Sequence, residues 1–120
     1  MHDWLTMTAA DLGRGIAKGE IDPVDLTRTY LDAIDAHADT PRIYARVTHD
    51  RALAEAQAAQ SRAKAGQRLS PLDGVPISWK DLFDTTGVAT ESGSALLEGR
   101  VPTQDAVVLQ RASAMGLDLH

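Results

Sequence analysis

The stretch from Pro71 to Ser94, PLDGVPISWKDLFDTTGVATESGS, constrains this chain more than any other. Pro71 to Gly74 reads as a turn, because proline presets φ and Asp-Gly tolerates left-handed geometry. Val75 to Trp79 then predicts a short strand rich in β-branched and aromatic side chains. A period of two sets Val75, Ile77 and Trp79 on one face, with Pro76, Ser78 and Lys80 on the other. A long cation therefore stands at the end of an apolar strand, and Trp79 is expected to be buried. From Asp84 the residues turn to Thr, Gly and Ser, which predicts an irregular segment built on backbone turns.

The flanking text predicts helices. Thr8 to Lys18 is one, with Thr8 as N-cap, Asp11 in the first turn, and Ala9, Leu12 and Ile16 on one face. Gly13, Gly15 and Gly19 weaken it. Asp22-Pro23 opens a stronger helix, Asp as N-cap and Pro at the first helical position. Its stripe is Val24, Thr27, Leu31, Ile34 and Ala38, widened by Leu26, Tyr30 and Ala33; Asp25, Arg28, Asp32 and Asp35 fall outside it. Thr40-Pro41 breaks that helix, and Ile43 to Thr48 alternates as a short strand would. Asp50 is the expected cap of a helix from Arg51 to Ala65, stopping at Gly66, with Ala52, Ala56, Ala59 and Ala63 as a thin apolar seam. Beyond Pro102, Asp105 to Met115 reads as a helix capped by Thr103 or Asp105, with Val108, Leu109, Ala112 and Met115 facing the interior.

Composition bounds the rest. A chain of 120 residues is a single domain at most, and 43% hydrophobic content with 4% aromatic implies a core of modest volume. A net charge of -5 argues against unaided binding to nucleic acid or an anionic membrane. Without cysteine there is no disulfide, thiolate nucleophile or Cys-based metal site. No apolar run approaches the ~20 residues of a membrane span. The amino terminus lacks the basic-then-apolar pattern of a secretory signal, so a soluble cytoplasmic protein is expected. His2, His37, His49 and His120 show no metal-ligand spacing, so no metal and no cofactor is expected.

The central stretch resembles the opening of the amidase signature family, whose members hydrolyse amides or transfer amide nitrogen. The resemblance is carried by Pro71, Leu72, Gly74, Val75, Pro76, Ile77, Lys80, Asp81, Asp84, Gly87, Thr90, Gly93 and Ser94, in that order and spacing. Trp79 stands where an aliphatic residue is usual, and Glu91 where a second Thr is common. Asp105-Ala106-x-Val108 resembles the family's next helix entry, and the two amino-terminal helices resemble its helical arm. The resemblance implies an α/β fold, of which this chain is the helix-rich amino-terminal portion of a mixed sheet flanked by helices. Residues 1–66 would form the helical arm, and residues 67–120 the Lys-bearing strand, the turn-rich segment and the following helix.

For Lys80 the resemblance implies the base of a Ser–cis-Ser–Lys triad, taking a proton through a bridging Ser so that a second Ser attacks the amide carbonyl. A free Lys, with a pKa of ~10.4, needs burial or a neighbouring cation to serve near neutrality. Without the resemblance, Lys80 is a surface cation beside Asp81. Family members carry both serines in a Gly-Gly-Ser-Ser-Gly-Gly-Ser type region that this sequence does not contain. Ser92-Gly93-Ser94 matches an earlier, structural turn. Ser78 shares a strand face with Lys80, but the two-residue step sets their Cα atoms ~6.6 Å apart. Three readings stand side by side: the first part of a truncated amidase, a non-catalytic binding module, or one half of a two-chain enzyme completed in trans. The expected partners are a small amide substrate when completed, and self-association or a complementing chain.

Overall fold

The computed structural model describes residues 3–119. Helix α1 (Ala9–Ala17) begins where the Thr8 side chain accepts a hydrogen bond from the Asp11 N–H at 3.1 Å. Helix α2 (Pro23–Ala36) begins the same way, the Asp22 carboxylate accepting from the Val24 N–H at 2.8 Å and Pro23 opening the first turn. Leu26, Thr27, Leu31 and Val24 are buried on α2, while Asp25, Arg28, Asp32 and Asp35 lie outside the core. Ala38 lies beyond the helix and in solvent, and Ala9 on α1 is exposed as well. A short 3-10 turn over Asp3–Thr6, for which the sequence gives no signal, buries Trp4 against this layer.

Thr40-Pro41 does more than break α2: it starts a one-turn helix, α3 (Thr40–Ile43), with Pro in its first turn. The strand expected over Ile43 to Thr48 does not form. Ile43 closes α3, and residues 44–48 run irregularly into α4 (His49–Lys64). Alternation alone cannot make a strand where no neighbouring strand offers a ladder. Thr48, not Asp50, holds the N-cap position of α4, and Asp50 sits in its first turn, where an anion suits the helix dipole. The seam of α4 is as thin as its alanines imply: Ala52, Ala56 and Ala59 are buried and Ala63 half-buried. It packs along α2, and Gln60 donates to the Asp22 carboxylate at 2.6 Å, tying α4 to the cap of α2.

The Lys-bearing strand is shorter than expected. Strand β1 (Pro76–Ile77) pairs in parallel with β2 (Asp118–Leu119), Pro76 opposite Asp118 and Ile77 opposite Leu119. The partner of β1 is thus the chain after Gly116 and not residues 43–48. Val75 is buried in the core with Trp4, Leu12, Ile16, Ile21 and Leu26. Trp79 is only half-buried, because the chain leaves the ladder after Ile77 and the indole turns to a polar partner. Between the strands lie a 3-10 turn (Ala95–Leu97) and helix α5 (Val107–Ala114). Ala106 is the N-cap residue of α5 and supplies no side-chain cap. Asp105, the expected cap, is engaged elsewhere. Leu109 alone of the expected α5 face is buried; Val108 and Met115 are exposed.

Gly13 and Gly15, which lower the helix propensity of α1, are both buried, and a Cβ on Gly13 would lie 2.1 Å from the Pro71 carbonyl oxygen. That oxygen belongs to the turn leading into β1, so the close approach seats α1 on the Lys-bearing segment. Gly13→Ala should therefore destabilise the chain by about 1–3 kcal/mol, despite a propensity gain of about 1 kcal/mol. A lower urea midpoint at unchanged slope is the expected reading.

Asp118 is fully buried on β2; its Oδ2 accepts from the Thr27 hydroxyl, and its Oδ1 has no partner among the described residues. Burial pushes this carboxyl up to about 7, and the nearby Glu55 and Asp73 charges act in the same direction. A carboxyl with a raised native pKa binds its proton more tightly when folded, so its contribution is present below the unfolded value of ~3.9 and is lost as pH climbs towards the folded value. The urea midpoint should fall between about pH 4.5 and pH 7.5, at up to about 1.4 kcal/mol per pH unit. Asp118→Val should flatten that slope and raise the midpoint at the upper end.

Candidate active site

Two irregular segments meet over the end of β1. From the α3–α4 link come Tyr44 and Arg46; from the exit of β1 come Ser78, Trp79, Lys80 and Asp81. With Phe83, Thr85, Val88 and Ala89 they line a cavity of about 330 Å³. Lys80 is exposed at this cavity, and its ammonium group has no hydrogen bond or ion pair with any described residue. The burial expected from the apolar strand is therefore not provided by this chain alone. Ser78 is occupied by Tyr44, the two hydroxyls lying 2.7 Å apart.

The Thr-rich segment fixes the wall beside Lys80. Thr85 and Val88 form an antiparallel bridge closed by Gly87 at φ +73. The buried Thr85 hydroxyl accepts from the Trp79 indole N–H at 2.8 Å, while the Thr85 N–H donates to the Thr90 hydroxyl. This bond anchors the half-buried indole of Trp79 to the Thr-rich segment. Arg51 on α4 grips both oxygens of Asp105 at 2.7 and 2.8 Å, and Asp105 Oδ1 also accepts from the Thr86 N–H at 2.9 Å. The Arg51 guanidinium, helped by the Thr86 N–H, holds Asp105 at about 2 against the opposing effect of burial. This long-range use of its carboxylate explains why Asp105 does not cap α5. A second fork joins Arg100 to Asp84 at 2.7 and 2.9 Å.

Closest in sequence to Lys80 is a three-residue cluster. Arg46 Nη1 lies 3.3 Å from Asp81 Oδ1, and its Nη2 donates to Glu91. Glu91 also accepts from the Gly99 N–H at 2.6 Å; that bond first, and the Arg46 charge after it, keep its carboxyl below the usual range. Sequence alternation places Tyr44 and Arg46 on a strand and does not mark them as site residues. The available signal is the pair of carboxylates, Asp81 and Glu91, flanking a turn in which Lys80 is the only cation.

Ser92-Gly93-Ser94 serves the backbone. Ser92 adopts φ 51, and the Ser94 side chain caps the following 3-10 turn by accepting from the Leu96 N–H at 3.2 Å. His49 Nε2 lies 3.0 Å from Asp35 Oδ2, and His37 Nδ1 accepts from the Asp39 N–H at 3.1 Å; His2 and His120 lie outside the described residues. Among the described residues no three His, Asp or Glu side chains converge as a metal site, and no helix is long and apolar enough to cross a membrane.

The comparisons with known proteins agree with this architecture. The family model for Amidase matches residues 25–118. The glutamyl-tRNA(Gln) amidotransferase A subunit of Streptomyces coelicolor is 39% identical over 114 residues, which cover 95% of this chain and 23% of that relative. Its namesake from Chloroflexus aurantiacus is 44% identical over 112 residues, covering 93% and 23%. The solved structure of the peptide amidase from Stenotrophomonas maltophilia matches with a TM-score of 0.88 at 30% identity, over 98% of this chain and 24% of that one. Fatty acid amide hydrolase, at 19% identity and a TM-score of 0.83, shares the fold. The two parallel strands with their covering helices are thus a helix-rich part of an α/β fold, and the chain spans about a quarter of the length of the relatives it matches. On the matched residues, and on the structural likeness that accompanies them, this chain belongs to the amidase signature family.

Proposed function

We propose that this chain supplies the lysine-bearing part of a site that cleaves or transfers the C–N bond of a carboxamide, with Lys80 as the base. The observation that carries the reading is Lys80 itself: an exposed ammonium without a polar partner among the described residues, at the rim of a cavity walled by Tyr44, Trp79, Phe83 and Val88. A lysine kept clear of its neighbouring carboxylates is available to a hydroxyl brought from outside. The nucleophilic and bridging serines have no Gly-Ser-Ser-Gly counterpart in this sequence, so we assign them to polypeptide beyond it. That polypeptide would also cover Lys80 and supply the desolvation a lysine base requires. The acyl group would pass from the amide to a serine oxygen as the amide nitrogen leaves protonated, and water or an amine acceptor would then release it.

The complementing polypeptide either continues this chain or comes as a second one. The exposed Leu82, Leu96, Leu97 and Val101, with Leu96 95% exposed, favour further protein packed on this chain in both cases. Relatives named as the A subunit of an amidotransferase support the second reading, in which a partner chain and a small amide are the ligands. We take the site of action to be the cytoplasm, a reading supported by relatives named for a glutamyl-tRNA(Gln) amidotransferase.

In an amidase completed with the serine-bearing portion, Lys80→Ala should lower hydrolysis of small carboxamides by about 10²–10⁴-fold while the far-UV spectrum and urea midpoint stay near those of the parent. Activity within a few-fold of the parent would remove Lys80 from the chemistry. Turnover by the 120-residue chain alone, abolished by Ser78→Ala, would place the nucleophile beside β1 instead.

A further inference from the structure

We infer that Arg46 is a positioning residue for Lys80, acting through Asp81 and Glu91; the inference rests on the reading of Lys80 as the base. After Ile77 the chain leaves the ladder, so no regular structure orients Lys80. Instead, a set of contacts converges on Asp81, the next residue. Its Oδ1 lies 3.3 Å from Arg46 Nη1 and accepts from the Glu91 N–H at 3.2 Å, and its carbonyl accepts from the Ser92 N–H at 2.7 Å. Glu91 closes the set: one oxygen accepts from Arg46 Nη2 and the other from the Gly99 N–H. One guanidinium thus joins the residue next to Lys80, the turn at Ser92, and the α3–α4 link.

The electrostatics make Arg46 more than a strut. Asp81 and Glu91 are both partly buried, 29% and 23% exposed at their side chains, and both direct an oxygen at the same cation. Without Arg46 two like charges face each other beside Lys80, so the turn opens and uncompensated negative charge draws the ammonium of Lys80 towards it. With Arg46 in place the carboxylates are satisfied and Lys80 is left without a partner among the described residues. Two carboxylates thus meet a single guanidinium, and Arg46 is the cation that balances them.

The chain's only lysines are Lys18, Lys64 and Lys80, so competitive acylation with acetic anhydride reads Lys80 against two internal references. At fixed pH, Arg46→Ala should lower the relative acylation rate of Lys80 by about threefold or more and leave Lys18 and Lys64 unchanged. Amide hydrogen exchange at Glu91, Ser92 and Gly99 should quicken in the same variant. The charge-swapped pair, Arg46→Glu with Glu91→Arg, should restore Lys80 acylation and slow exchange at Ser92, which a packing role for the Arg46 stem would not; Gly99, whose acceptor is the Glu91 carboxylate, should stay fast. Arg46→Gln keeps a hydrogen-bonding side chain but removes the charge and should slow Lys80 acylation likewise, so parent-like acylation in this variant overturns the inference even if Arg46→Ala fails to fold. Parent-like Lys80 acylation in a folded Arg46→Ala, or no recovery in the swap, would overturn it. A completed amidase indifferent to Lys80→Ala would remove the base assignment alone, since the acylation difference does not depend on turnover.

Discussion

The bidentate pair between Arg62 and Asp73 is the interaction on which the rest of this structure depends. Arg62 Nε and Nη2 reach Asp73 at 2.8 and 2.7 Å, and the Leu69 N–H adds a third bond at 2.8 Å. Asp73 is 1% exposed, and burial works against its charge, yet these donors hold its carboxyl below the usual range. Removing one partner of such a pair costs about 3–5 kcal/mol, because the other is left as an uncompensated buried charge. Its place in the chain makes the pair decisive. Arg62 lies in the last turn of α4, and Asp73 in the turn that launches β1. The same carboxylate packs under Gly116, where a Cβ would lie 2.3 Å from Asp73 Oδ1 and where φ is +84. One ion pair therefore sets the end of α4, the start of β1 and the approach of β2.

Beyond β1, guanidinium–carboxylate links do what a hydrophobic core does elsewhere. Arg46 with Asp81 and Glu91, Arg51 with Asp105, and Arg100 with Asp84 fasten a segment with little regular structure. The core has little area to spare for this task, since the buried face of α4 consists of alanines. Forked, partly buried contacts hold direction better than single exposed ones. The Arg100–Asp84 fork, the most exposed of these, is the one that salt screens most. A segment fixed in this way keeps its turns without burying apolar side chains, which leaves Leu96 and Leu97 to the outside.

Much of this is legible in the sequence, for physical reasons that also mark where legibility ends. Thr8 and Asp22-Pro23 start their helices because a cap needs only residues within one turn. The charged face of α2 and the alanine seam of α4 follow from a helical period that tertiary contacts reinforce. The place of Lys80 just past a strand is legible because the turn before it is local. The partner of that strand is not, since a period of two says nothing about which segment supplies the ladder. Residues 43–48 alternate and yet form no strand. Asp105 reads as a cap by position, but its carboxylate answers Arg51, distant in sequence. Gly13 reads as a weakness of α1 until the carbonyl of Pro71 is found where its side chain would be. In each failure the deciding atom lies far along the chain.

The parallel ladder between β1 and β2 sets an order of events as the polypeptide leaves the ribosome. The Arg62–Asp73 pair spans 11 residues, so its loop closes early and at low entropic cost. The contacts of α2 with α4 are likewise available before β1 emerges. Pro76 and Ile77 must wait for Asp118 and Leu119, with the Thr-rich turns and α5 made in between. Non-local closure of this kind is slow compared with helix formation. During that interval β1 is an unpaired strand whose place is already fixed by the turn behind it. Synthesis thus presents the lysine end first, as a scaffold on which the rest of the sheet is laid.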